Sequence, residues 1–330
     1  MKKAYVIQSL QQTKLLADSR RMRILRLLMA SPATLTQLAD TLGQTPARVR
    51  HHLQKLLKAG LVKPAEIRKH GTITEKYYRA AGSAFLLQKT ILPESKKPAL
   101  LFAGSHDLAI EYLAERVSPY MEIIMHPVGS LDGLITLHQG LCQLSGAHLL
   151  DESGEYNLPY VNRLFPRHNV RVVTLANRVQ GLMTASNNPQ GIRTIEDLTR
   201  PDLRFVNRNA GSGTRVWFDN WLRQSGISEE SIRGYENTVS THTAAAEQVA
   251  SGKASAAIGL QAAARKFGLF FIPLFEERFD LIIPNQEVAA LTPLLNEIQT
   301  ATFRKTVQAL GGYNVAHSGE EITSTYRRIS

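Results

Sequence analysis

Thr45-Pro46-Ala47-Arg48-Val49-Arg50-His51-His52-Leu53-Gln54-Lys55-Leu56 reads as a helix with its own start signal and two chemically different faces. Thr45 suits the capping position and Pro46 the first helical position, while Val49, Leu53, Leu56 and Leu57 recur at the spacing of a core-facing stripe. Arg48, Arg50, His51, His52 and Lys55 fall on the other face. That chemistry meets phosphates and base edges in the major groove of duplex DNA.

The flanking sequence supplies the rest of a small domain. An amphipathic helix starts near Asp18 or Ser19 and continues through Met22-Arg23-Ile24-Leu25-Arg26-Leu27-Leu28. Thr34-Leu35-Thr36-Gln37 has capping-box spacing ahead of Leu38, Ala39 and Leu42, and Gly43-Gln44 then makes the turn. Gly60-Leu61-Val62 ends the basic helix. Ile67 to Arg79 is expected to form a β-hairpin turning at His70-Gly71, with Lys69 and His70 as further DNA contacts and Tyr77 and Tyr78 on the return strand. Helix, helix, turn, helix and two-stranded wing predict an N-terminal α+β winged helix-turn-helix over residues 1–90.

This arrangement resembles the ArsR-type winged-helix repressors. The carrying residues run from Asp18-Ser19-Arg20-Arg21-Met22-Arg23-Ile24-Leu25, through Val49-Arg50-His51-His52-Leu53-Gln54-Lys55-Leu56, to Ala59-Gly60-Leu61-Val62. The resemblance covers about the first quarter of the chain and implies a DNA-binding transcriptional regulator. Metal-sensing members of that family carry cysteine thiolates near the third helix, whereas the one cysteine here is Cys142. A thiolate metal site in the winged helix is not expected, and the chain is read as using no metal and no cofactor.

The charge distribution points the same way. Of the 39 lysines and arginines, 19 lie in residues 1–98 against five aspartates and glutamates; the remaining residues hold 20 against 23. The excess behind the net charge of +11 is therefore wholly N-terminal, where phosphate neutralisation would use it. A single cysteine argues against a disulfide framework. No apolar run approaches the roughly 20 residues needed to cross a bilayer, and polar residues break up Met1 to Ser9 before a secretory core could form. A cytoplasmic protein with no membrane partner is the expectation.

Leu92-Pro93-Glu94-Ser95-Lys96-Lys97-Pro98 reads as part of a linker over 91–98. Beyond it the pattern changes to alternating strands and helices. Strands are expected at 99–104, 121–125, 171–175, 203–207, 256–259 and 269–273, and helices at 107–117, 131–140, 215–224, 243–251 and 289–310. This alternation predicts an α/β architecture on mostly parallel sheets, in which ligands sit where strands run into helix N-termini. Four such junctions carry glycine or small hydroxyl residues: Gly104-Ser105-His106-Asp107, Gly129-Ser130-Leu131-Asp132-Gly133, Gly211-Ser212-Gly213-Thr214-Arg215 and Ser240-Thr241-His242-Thr243. Each alone is equally well a helix cap. Together they favour one shared pocket.

These segments resemble the type II periplasmic binding protein fold, and more closely the PBP-like or molybdate-binding-like domains fused to helix-turn-helix modules. Further carrying residues are Gly146-Ala147-His148-Leu149-Leu150-Asp151, Gly154-Glu155-Tyr156-Asn157, Arg204-Phe205-Val206-Asn207-Arg208 and Gly311-Gly312-Tyr313. The resemblance implies a two-lobed domain over 99–330, with lobe I at about 99–175 and 279–330 and lobe II at about 176–278. The crossovers would lie near Leu175 to Gln180 and Leu274 to Phe279. Ser105 and Ser130 would then face Ser212, Thr214 and Thr241 across a cleft.

Hydroxyls and backbone N–H groups at helix N-termini suit a compact anion, and the resemblance points to molybdate or tungstate. Candidate ligand contacts are Ser105, His106, Ser130, His148, Tyr156, Ser212, Gly213, Thr214, Arg215 and Thr241. Arg215 could instead pair with Asp219 one turn on; if it faces the cleft, it would suit a carboxylate- or phosphate-bearing organic ligand. An enzyme lacks its parts here: there is no Gly-x-Ser-x-Gly elbow, HExxH, phosphate-binding loop or CxxC. A cytoplasmic solute-binding protein is the other rival, opposed by the basic winged helix. A homodimer is expected, because two winged helices read two half-sites.

Overall fold

The computed structural model describes residues 4–7, 9–70, 73–167 and 169–322, and the chain divides into two units, residues 1–91 and 92–330. The first contains β1 (Ala4–Ile7), α1 (Leu10–Leu16), α2 (Ser19–Ala30), β2 (Ala33–Thr34), α3 (Leu35–Leu42), α4 (Pro46–Lys58), β3 (Val62–His70), β4 (Ile73–Ala80) and β5 (Ala84–Leu87). Asp18 starts α2 by accepting hydrogen bonds from the backbone N–H groups of Arg20 and Arg21. The capping box at α3 is complete, with Gln37 N donating to Thr34 Oγ1 and Thr34 N donating to Gln37 Oε1. Gly43 adopts the left-handed conformation (φ 60°) that turns the chain into α4, a backbone state glycine enters without cost. Thr45 occupies the N-cap position, yet its side chain makes no cap bond.

Helix α4 buries Val49, Leu53 and Leu56 against Ile24, Leu25, Leu28 and Leu38. The wing is longer than the spacing suggested: β3 and β4 pair antiparallel from Val62–Ala80 outward, with a bulge between Pro64 and Glu66, and β2 adds a third strand. Gly71 and the side chain of His70, part of the expected turn, lie outside the described residues. Strands β1 and β5, which the sequence reading lacked, form a separate parallel pair.

The second unit contains β6 (Ala99–Gly104), α5 (Leu108–Val117), β7 (Glu122–Pro127), α6 (Ser130–His138), β8 (Leu144–Ala147), α7 (Leu158–Leu164), β9 (Val170–Thr184), β10 (Phe205–Arg208), α8 (Gly213–Ser225), β11 (Thr238–Val239), α9 (His242–Ala250), β12 (Ala256–Leu260), α10 (Gln261–Lys266), β13 (Phe270–Pro284), α11 (Thr292–Ile298), α12 (Ala301–Leu310) and β14 (Tyr313–Asn314). The sheet runs β11-β10-β12-β9-β13-β8-β6-β7, with β14 beside β9. Its outer strands pair parallel, but β12, β9, β13 and β8 are antiparallel neighbours, so the sheet is mixed rather than mostly parallel.

The cause is the pair β9 and β13. Each is 15 residues long, not the five expected, and they pair along their whole length. One end of the pair carries β12, the other β8, so the two strands pass from one half of the sheet to the other. Separate apolar clusters fill the halves, one around Phe205, Phe218 and Ile258 and one around Leu134, Val161 and Ile282. The single helix expected at 289–310 is two, because Thr300 caps a fresh start at α12.

Candidate anion site and nucleic-acid interface

On α4, Arg48, Arg50, His51 and Lys55 are exposed, as are Thr45 and Lys69 on the wing. Helical periodicity puts the basic side chains opposite Val49, Leu53 and Leu56. His52 departs from the expectation. It is half-buried, its Nδ1 is enclosed without a hydrogen-bond partner among the described residues, and desolvation pushes its pKa down. A neutral, partly enclosed imidazole is a poor phosphate ligand, and His52 belongs between the two faces.

In the second unit, strand ends and helix starts bring most of the expected hydroxyls together. Ser105, Ser130, Ser212 and Thr214 are all fully or almost fully buried. Ser105 Oγ lies 3.0 Å from Ser130 Oγ and 3.0 Å from His148 Nε2. Ser130 Oγ also accepts the His148 backbone N–H. Ser212 caps α8 by accepting the Arg215 N–H, and Thr241 caps α9 through Ala244 N.

The crossing strands add groups that the sequence reading missed. Over 176–180 the burial of β9 alternates, so Ala176, Arg178 and Gln180 face inward as the period of a strand requires; Glu277 of β13 stands opposite Arg178 in register. Glu277 Oε1 accepts hydrogen bonds from Arg178 Nε (2.7 Å) and Gln180 Nε2 (2.5 Å), and its Oε2 lies 2.6 Å from His148 Nδ1. These cationic and amide neighbours outweigh burial and hold the carboxyl at about 2. Arg178 Nη1 donates to Asp107 Oδ2, which also accepts from the Tyr313 hydroxyl. Gln180 Oε1 accepts from Thr214 Oγ1, tying α8 into the same network.

Arg208, at the end of β10, is the unbalanced member. It is 1% exposed and donates from Nη2 to Ser240 O, while its Nε and Nη1 have no hydrogen-bond partner and it joins no ion pair among the described residues. Burial first, and then the Arg178 charge, push its pKa down to about 9. Arg178 Nη2, His106 Nδ1 and both ring nitrogens of His242 are likewise buried without partners among those residues. The rings of His106 and His242 are 6.3 Å apart. Buried polar groups left unpaired cost free energy, and the free nitrogens of Arg208 and Arg178 are donors in any protonation state of the rings. A group of them around one carboxylate-free guanidinium has the chemistry of an anion cradle.

Contacts between the two halves close over this region. A Cβ on Gly129 would stand 3.1 Å from Gly211 O and Ser212 N, and one on Gly213 would stand 2.4 Å from His148 Cε1. Two expected ligand contacts are engaged by other protein groups. Arg215 Nε donates to both carboxylate oxygens of Asp219, and its guanidinium covers the Tyr235 ring at 4.2 Å, so the i,i+4 partner and the ring hold the side chain. Tyr156 donates to Glu276 O and lines, with Trp217, Trp221 and Phe275, a groove of about 640 Å³ that His148, Gly213 and Glu277 also line. His106 Nε2 bonds Glu111 and Thr241 is only half-buried, so both stand at the edge.

The class defined by this architecture is a winged helix-turn-helix joined to a two-halved α/β domain. Residues 111–299, more than half of the chain, match the PBP superfamily domain, and residues 18–63 match the bacterial regulatory protein, arsR family. The chain belongs to the PBP superfamily and carries an ArsR-family DNA-binding domain. It is 32% identical over 232 residues to the uncharacterized protein YvgK of Bacillus subtilis (strain 168), covering 69% of this chain and 75% of YvgK. Among solved structures it is similar to Peb3 from Campylobacter jejuni (14% identity, 66% of this chain and 99% of that one, TM-score 0.43) and to the sulfate-binding protein SubI from Mycobacterium tuberculosis H37Rv (13%, 66% and 86%, TM-score 0.46). No helix among the described residues is long and apolar enough to cross a membrane.

Proposed function

We propose that this ArsR-type regulator works in the cytoplasm as a homodimer, binding duplex DNA through α4 and the wing, and that its PBP-like domain senses a tetrahedral oxyanion such as molybdate or tungstate. The observation that carries the ligand reading is Arg208: a buried guanidinium with two unpaired N–H donors and no acidic partner among the described residues. Such a group is costly until an anion meets it. Ser105, Ser130, Ser212, Thr214 and the start of α9 provide small polar groups at the same strand-to-helix ends of the sheet, and helix N-termini add their dipoles.

The close approach of Gly213 to His148 and of Gly129 to Gly211 favours a bare anion over an ester with a bulky tail. The bond from Arg215 Nε to Asp219 weighs against Arg215 as the anchor of an organic carboxylate. Coupling to DNA follows from linkage. An anion that binds the closed cleft better than the open one stabilises closure by that difference alone, and closure that repositions two winged helices changes their fit to successive half-sites. Isothermal calorimetry on the full-length protein with molybdate, tungstate, sulfate and phosphate tests the ligand reading. Saturable binding of at least one is expected; failure of all four at millimolar concentration overturns it.

A further inference from the structure

Ser105, His148 and Glu277 stand in line in the cleft wall: Ser105 Oγ is hydrogen-bonded to His148 Nε2 at 3.0 Å, and His148 Nδ1 is in close polar contact with Glu277 Oε2 at 2.6 Å, off the line of a regular N–H···O hydrogen bond. In an accessible site the same three groups would activate a nucleophile. Here Ser105 is fully buried against Ser130, and what the chain can do is place a proton. Glu277 is ionised, since its other oxygen accepts from Arg178 and Gln180. His148 Nδ1 therefore carries the ring hydrogen, and in the neutral ring Nε2 is an acceptor.

Ser105 must then give its hydrogen to Nε2. Ser130, whose oxygen already accepts the His148 N–H, gives its hydrogen to Ser105. Both hydroxyl hydrogens are spent inside the wall, and neither is left for an anion. The charges make the same point. Over the cluster as a whole, the two buried guanidinium charges of Arg178 and Arg208 equal the two buried carboxylates of Asp107 and Glu277, although both carboxylates pair with Arg178 and neither with Arg208; the remaining buried carboxylate, Asp280, pairs with Arg278. A dianion would add two negative charges to a cluster that has no net charge to offset them.

One proton on His148 resolves both difficulties. Nε2 becomes a donor to Ser105 Oγ, Ser105 turns its hydrogen toward the anion, and the cluster gains a positive charge. We propose that the cleft takes up its oxyanion together with one solvent proton, held on His148, so that His148 and its partner Glu277 set the affinity for dianions. This rests on the anion-sensing reading above. The only bond formed is His148 Nε2–H, with the proton supplied by water or buffer.

His148 is faced by Glu277 on β13, Arg178 on β9, Arg208 at the end of β10, His242 on α9, the hydroxyls of Ser105 and Ser130, the Phe279 ring and Gly213 of α8. Burial is the largest influence and lowers its pKa, Glu277 raises it, and the two arginines lower it again, so the ring is neutral near pH 7. An anion beside it raises that pKa. A group whose pKa rises on binding takes up a proton, so affinity falls as pH rises above the pKa of the free ring, by up to about tenfold per pH unit for one proton.

Calorimetry on the full-length protein with sodium molybdate and sodium sulfate, both dianions between pH 6.5 and 8.5, tests this in two buffers of different ionisation enthalpy. The expected result is uptake of about one proton per bound anion at pH 8, with affinity falling close to tenfold per unit. His148→Gln should bind more weakly, with no pH slope and no proton uptake, while His317→Gln, at an exposed ring that pairs with Glu320, keeps both. Wild-type binding without proton exchange, or a slope retained in His148→Gln, overturns the proposal but leaves the anion reading standing. Should His148→Gln fail to fold, the wild-type proton count decides alone. Absence of binding by either dianion at every pH overturns the proposal; only if tungstate and phosphate fail as well does the anion reading go with it.

Discussion

Arg208 separates a ligand-binding arginine from a structural one by the sign of its effect on stability. A buried charge that joins no ion pair destabilises the unliganded fold, whereas a structural arginine stabilises it. Arg208→Met should therefore weaken anion binding at least tenfold, as loss of a charge-assisted hydrogen bond of about 1.5–3 kcal/mol implies. Thermal melting without anion should show the variant at least as stable as the wild type; a drop of several degrees would assign Arg208 to the scaffold. The hydroxyl positions were legible because strand-to-helix junctions leave a local signature in glycine, serine and threonine. Arg178 and Glu277 were not. They meet across 99 positions of sequence, and only the registered pairing of β9 with β13 brings them together.

Among the elements, α4 followed its pattern most faithfully, since one apolar stripe and one basic stripe at the same period leave a single way to dock the helix. His52 is the exception, lying at the boundary where a hundred-degree step leaves a side chain half enclosed. Arg50→Ala should weaken DNA binding roughly tenfold or more if Arg50 reads a base edge, with the fold unchanged by circular dichroism, and unaltered affinity in a fluorescence anisotropy titration would remove α4 from the interface. At α8, Gly213 is the informative position. Its φ is not in the left-handed region, so alanine suits the helix, but the added methyl would collide with the His148 ring. Gly213→Ala should lower anion affinity at least tenfold, and unchanged affinity would show that this contact does not accompany binding. Strands β9 and β13 were under-read because charged residues interrupt their apolar runs; the interruption that looked like an end is the part facing the cleft.

For the whole molecule, the basic excess of residues 1–98 was visible in composition alone; the structure divides after residue 91, and the arsR-family match lies within the first unit. The mixed character of the sheet was not visible, because strand alternation with helices is the same whether the two connecting strands run parallel or antiparallel to their neighbours. Assembly belongs to this scale: light scattering should report a dimer, since one winged helix reads too few base pairs for a specific site, and a monomer both free and on DNA would contradict that. The most direct test joins both units. A duplex selected from random sequence by the full-length protein is titrated by fluorescence anisotropy at fixed ionic strength, with and without the oxyanion that calorimetry identifies. The account predicts that the anion shifts DNA affinity at least fivefold in the wild type and not at all in Arg208→Met. Equal DNA affinity with and without bound anion in the wild type would contradict it.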